Sequence, residues 1–150
     1  MMYSNYLIGL LASAAFTHNS TRTVTFPSNL YIALLTGQPS ATDVYTEIGT
    51  STANGYARKQ FNPSATNWSS TGWTVSNLLD IQFNDPTTGP WYHGASATNN
   101  LITHVGLFDS ATIGAGNLWF WAATGTGKSV SQTDFSPRFQ VGQLQFTFDE

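Results

Sequence analysis

A chain of 150 residues is long enough to bury one hydrophobic core and too short for two. Charged side chains make up 9% of it, against about 25% in an ordinary soluble domain, while hydrophobic residues reach 41% and aromatics 14%. A net charge of −3 with five basic residues argues against a phosphate-neutralising groove for nucleic acid, and the absence of cysteine excludes disulfides, thiolate metal sites and cysteine nucleophiles. The surface must then be coated by neutral Ser, Thr and Asn, which suits a chain packed against copies of itself or against partners.

Tyr3, Tyr6, Leu7, Leu10, Leu11 and Ala14 recur at the spacing of one helical face, with Ser4 in N-cap position, and predict an amphipathic helix over residues 4–15. Its other face is thin in polar groups, Asn5 and Ser13 being the main ones. Two roles stay open: a helix packed on its own domain, or an arm (residues 1–17) docking on a neighbouring subunit. The apolar run is too short to span a bilayer, and no Lys or Arg precedes it as in a signal peptide.

Residues 23–26 predict a short strand with Val24 and Phe26 on one face, stopped by Pro27. LYIALL (30–35) is a buried strand ended by the turn set TGQP (36–39), and residues 40–55 are a long polar loop. YARKQF (56–61) mixes apolar and polar residues on both faces, as at the margin of a sheet. Residues 62–72 read as loop, followed by strands over 73–76 and 78–83; in the second, Leu79, Ile81 and Phe83 alternate with Asp80 and Gln82. The Pro-, Gly- and Asn-rich segment 85–100 carries Trp91, Tyr92 and His93, an aromatic cluster that either closes the core or forms a contact patch.

Residues 101–109 and 118–123 are apolar runs rich in β-branched and aromatic side chains, predicting two strands buried on both faces in the middle of a sheet and joined as a hairpin through the glycine-containing 110–116. Further strands are predicted over 128–132, 138–141 and 144–148. In the last, Leu144, Phe146 and Phe148 alternate with Gln145 and Thr147, so it pairs within the body of the fold. The expectation is all-β: an antiparallel β-sandwich or jelly-roll-like domain over residues 18–150 with one N-terminal amphipathic helix.

Chemistry-bearing patterns are sparse. AATGTGKS (122–129) fits a relaxed phosphate-loop rule, but VSQTDFSP (130–137) is β-prone and broken by proline, so a glycine hairpin turn between Ala123 and Val130 is expected instead of a loop opening a helix. His18, His93 and His104 show no ligand spacing, with His104 read as a satisfied core histidine. No GxSxG elbow occurs and the eight carboxylates are scattered. No catalytic, cofactor-binding or metal residue is assigned, and a non-enzymatic protein without cofactor is expected. Trp119 and Trp121, placed on one strand face, would serve a rival carbohydrate-binding reading, though burial explains them better.

LYIALLT (30–36), TEI (46–48), GYAR (55–58), ITHVGLFD (102–109), GNLWF (116–120) and GQLQFTF (142–148), in this order from about residue 28 onward, resemble small bacteriophage virion proteins often labelled tail-fibre-like. The resemblance implies a virion structural protein, assembled in the host cytoplasm, and brings no catalytic residues. Low charge, aromatic richness and the absence of catalytic spacing support the same class, and within it a capsid cement or decoration unit on the head exterior is preferred, bound to the major capsid protein as a homo-oligomer, a trimer being favoured. The alternative is a tail component: fibre, baseplate or neck subunit. Candidate subunit contacts are Tyr3, Tyr6, Leu7, Leu10, Leu11, Trp91 and Tyr92; neither nucleic acid nor membrane is expected as a partner.

Overall fold

The computed structural model describes residues 3–16, 24–49, 56–84, 101–129 and 137–148. Helix α1 (Asn5–Phe16) begins where the spacing and the cap place it: Ser4 Oγ accepts from Leu7 N at 3.1 Å. A second cap comes from far along the chain. The Asp43 carboxylate accepts from Asn5 N at 2.9 Å and from Tyr6 N at 2.8 Å, meeting two of the first-turn amides that have no partner within the helix. Leu7 is buried, and Tyr3, Tyr6 and Leu10 pack half-buried against the core.

Strands β1 (Tyr31–Leu35), β2 (Lys59–Gln60), β6 (Leu101–Phe108) and β7 (Leu118–Ser129) form an antiparallel sheet in the order β2-β1-β6-β7. β1 is covered on both sides: Ile32 and Leu34 enter the main core with Val105 and Leu107, whereas Ala33 and Leu35 join Phe108 and Leu118 on the opposite face. Such a strand has no polar alternation to show, which is why YIALL is a continuous apolar run. β2 borders the sheet, as the mixed pattern of residues 56–61 predicts. β7 also lies at a border, not in the middle as expected. The N-terminal segment covers its outer side, with Tyr3 bridging Phe120 and Ser4 N donating to Trp119 O at 3.3 Å.

Strands β3 (Trp68–Thr71), β4 (Thr74–Asn77) and β9 (Gln145–Thr147) make a second antiparallel sheet, and β5 (Ile81–Gln82) pairs with β8 (Arg138–Phe139). β3 falls in a segment read as loop. WSST lacks apolar alternation, and it is a strand because the two-residue reversal at Gly72 (φ +58°) and Trp73 returns it onto β4. No strand forms over residues 24–27, where Phe26 instead lies against Trp119 with ring centroids 5.5 Å apart. β9 follows its pattern, with Leu144 and Phe146 buried and Gln145 exposed. Among the described residues one main core draws on all three sheets, Ile32, Val105, Phe146 and Ile81 among its members, so the all-β class with one N-terminal helix read from the sequence is the fold observed.

Two irregularities of the β6–β7 pairing correct the sequence reading. The register moves from Ile102↔Lys128 to His104↔Ala123, so residues 124–127 bulge opposite Thr103 inside β7. The glycines at 125 and 127 therefore serve this bulge, with Gly125 at φ +81°, and not a hairpin turn between Ala123 and Val130. A second slip, between Leu107 and Phe108, inserts Trp119 opposite the ladder. Trp119 and Phe120 consequently both pack toward the main core, whereas Trp121 packs with Phe108 and Leu118 on the other side. Trp119 and Trp121 do not share a face.

Candidate functional site

The proposed contact residues of the helix divide into two groups. Tyr3 meets Phe148 and Phe120, with ring centroids at 5.3 and 6.5 Å, Tyr6 stands edge-on to Trp119 at 5.3 Å, and Leu7 is fully enclosed. These three, with Leu10, hold α1 on its own domain. Leu11, by contrast, is 44% exposed, and Ile8 and Phe16 stand exposed with it. The helix contains no charged residue, so its outward side presents apolar groups to solvent without the usual charged cover. Trp91 and Tyr92 lie outside the described residues. Near Tyr3, Leu30, Trp68, Val75, Phe120, Phe146 and Phe148 line an apolar groove of about 220 Å³.

Beneath the other end of the β6–β7 hairpin lies a buried ionic cluster that no sequence candidate anticipated. Glu47 and Arg58 are paired at 2.8 Å with side-chain exposures of 4% and 0%. Arg58 Nε also donates to both Glu47 oxygens, at 3.0 and 3.2 Å, while Nη1 donates to the carbonyls of Ser110 (2.9 Å) and Ala115 (2.8 Å). One guanidinium thus ties the polar loop of residues 40–49 to the hairpin loop between β6 and β7. Its plane also sits over the Phe108 ring, 4.0 Å from the centroid. Burial works against the charge on Arg58, but the hydrogen bonds and the negative charge of Glu47 outweigh it and raise the pKa above the ordinary value.

Tyr56 completes the cluster. Its hydroxyl donates to Glu47 Oε1 at 2.6 Å and accepts from Leu34 N at 3.1 Å, linking the ion pair to the central strand. Gly49 must be glycine here, because a Cβ would stand 2.4 Å from the Tyr56 ring. Burial, and then the adjacent Glu47 carboxylate, hold the Tyr56 phenol well above its ordinary value of 10.0. The folded chain therefore keeps a proton that the unfolded chain releases near pH 10. Stability from this group is complete below that pH and declines as pH rises beyond it. Tyr56→Phe should cost about 1–3 kcal/mol at neutral pH through the unpaired Leu34 N–H and the weakened Glu47 site, and should flatten the alkaline limb of a stability–pH curve measured by urea unfolding. An alkaline limb identical in both proteins would contradict this origin.

The hairpin loop is also fixed from its own end. Asp109 accepts from Asn117 N (2.7 Å), Asn117 Nδ2 (2.8 Å) and Trp119 Nε1 (3.2 Å). Partial burial pushes the Asp109 carboxyl up, but these donors prevail and leave it below the usual carboxylate value. His104 is half-buried, with Nδ1 2.9 Å from Thr103 Oγ1 and its ring 5.8 Å from that of Trp121; burial lowers its pKa. Among the described residues no group of His, Asp and Glu is arranged to hold a metal, and no helix is long and apolar enough to cross a membrane. Lys128 extends from a strand and not from the loop before a helix, so its neighbourhood lacks the geometry of a phosphate loop.

Of the residues quoted for the resemblance, Glu47 in TEI (46–48) and Tyr56 and Arg58 in GYAR (55–58) build the cluster, and ITHVGLFD with GNLWF supplies the hairpin it supports. Among curated proteins none matches the chain significantly. A family model described as Podophage GP4 fiber I protein gp80 matches residues 3–147, nearly the whole chain, and the chain belongs to that family of phage virion structural proteins.

Proposed function

We propose that the protein is a non-enzymatic structural subunit of a phage tail fibre, joined to copies of itself and to other tail proteins. The observation that carries this reading is the family match over residues 3–147, whose description is of a fibre protein. It favours the tail over the capsid-cement role preferred from the sequence. The charge-free outer side of α1 and the apolar groove beside Tyr3 supply the covered surfaces that a subunit in a stack needs. Counting the protein in purified particles by quantitative gel densitometry tests the position: about a dozen copies or fewer supports the tail, and on the order of hundreds supports the head.

The helix provides a second test. Deleting it would strip Leu7 and Tyr6 from the core, so the informative change is on the outside. Ile8→Glu together with Leu11→Glu should leave the folded domain within about 1 kcal/mol of wild type, since both side chains are exposed, yet sharply reduce incorporation into particles. Undiminished incorporation of a folded double variant would show that this surface is not a contact.

A further inference from the structure

Between the β7 bulge and the segment running from β8 to β9 lies a cleft of about 700 Å³, a size that accommodates a small ligand. One wall carries Thr124, Thr126 and Lys128, the other Arg138, Gln143 and Gln145, over an apolar floor that includes Phe139. The bulge creates the first wall: three extra residues against β6 lift the threonines out of the regular ladder.

The polar groups differ in how far they are already engaged. Arg138 is paired with Asp80, whereas Lys128 has no carboxylate partner among the described residues. Gln143 Oε1 accepts from Gln140 N at 2.8 Å, and Gln145 Nε2 donates to Gly142 O at 2.9 Å. Each amide is anchored by one end, which fixes the direction of its other end, Nε2 for Gln143 and Oε1 for Gln145. Thr124 Oγ1 donates to Ile102 O at 3.4 Å and keeps its acceptor capacity. Among the described residues, one ammonium without a carboxylate partner, one oriented amide donor, one oriented amide acceptor and two threonine hydroxyls, beside an apolar floor with Phe139, match a ligand with many hydroxyls, a C–H face and one carboxylate. Polyphosphates demand several free cations, and the described residues of this cleft supply one.

We propose that this cleft binds an acidic saccharide, with Lys128 facing the sugar carboxylate and Gln143 and Gln145 facing its hydroxyls. The inference is independent of where the protein sits in the virion. It is tested by titrating the ¹⁵N-labelled chain with tetragalacturonate, with maltotetraose as the neutral counterpart and with ATP as the phosphate probe, each to about 10 mM to reach weak affinities. Tetragalacturonate should shift the amide signals of Gly125, Lys128, Phe139, Gln143 and Gln145 saturably. Lys128→Gln should weaken that binding roughly tenfold and leave the response to maltotetraose unchanged, while Gln143→Ala should weaken both. Absence of shifts with tetragalacturonate, shifts confined to other parts of the protein, or a saturable response to ATP alone would overturn the proposal.

Discussion

Arg58→Met is expected to destabilise the domain by about 3–5 kcal/mol, the usual consequence of removing one member of a buried ion pair. The loss has three parts. Glu47, 4% exposed in its side chain, keeps a charge with no cation beside it; the carbonyls of Ser110 and Ala115 lose their shared donor; and Phe108 loses the guanidinium stacked on its ring. For a domain of this length such a change lowers the midpoint of thermal unfolding by on the order of 10 °C. Arg58→Lys should recover only part of it, because one ammonium on a flexible stem cannot face Glu47, Ser110 and Ala115 together as the planar fork does. Removing both charges, with Glu47→Gln added to Arg58→Met, should be less damaging than Arg58→Met alone, since the stranded carboxylate is then gone. Thermal and urea unfolding of the three variants decide the matter, and a loss below about 1 kcal/mol for Arg58→Met would show that the cluster contributes little.

Asn77→Ala is the second large effect. Asn77 is 1% exposed and sits at the end of β4, where its side chain fastens three backbone groups, one just beyond β4 and two in the segment that leads into β9. Nδ2 donates to Leu79 O and Gln140 O, both at 2.8 Å, and Oδ1 accepts from Leu144 N at 2.9 Å. Its own main chain exchanges further bonds with Leu144 and Gly142. Alanine keeps the main-chain bonds but leaves the buried Leu144 N–H unpaired and takes a donor from the carbonyls of Leu79 and Gln140, the latter still accepting from Gln143 N, at a cost of roughly 2–3 kcal/mol. Asn77→Asp should be worse, because an acceptor oxygen would then confront one or both of those carbonyls. Hydrogen exchange at Leu144 N gives a local reading: its protection should fall with Asn77→Ala, and unchanged protection would mean that the side-chain bond is not what shields it.

The parts of the fold that were legible are those whose burial is written locally. YIALL, the 101–109 run and the alternation of residues 144–148 each carry their own apolar pattern, and α1 has both its 3.6-residue spacing and its cap at Ser4. The bulge at 124–127 was misread because glycine-rich sequence serves a turn and a bulge equally; only the partner strand distinguishes them. β3 has no apolar alternation of its own and depends on β4 for pairing.

The polar framework was hidden for a different reason. Glu47 lies in a stretch read as polar loop and Arg58 in a sheet margin, and their burial requires the hairpin loop to close over them with two carbonyls that have no sequence signature. Asp43 reaches α1 across 38 positions in the chain, and Asn77 reaches Gln140 across 63. A chain with so few charges does offer one clue: a lone Arg between Tyr56 and Phe61, both buried, is more costly to leave unpaired than the same residue on an ordinary charged surface.

The most direct test of the central claim is gold labelling of an epitope tag on this protein in intact particles, viewed by electron microscopy. The fibre assignment predicts label on the appendages of the tail and none over the capsid faces. Label spread evenly over the head, with bare tails, would contradict it.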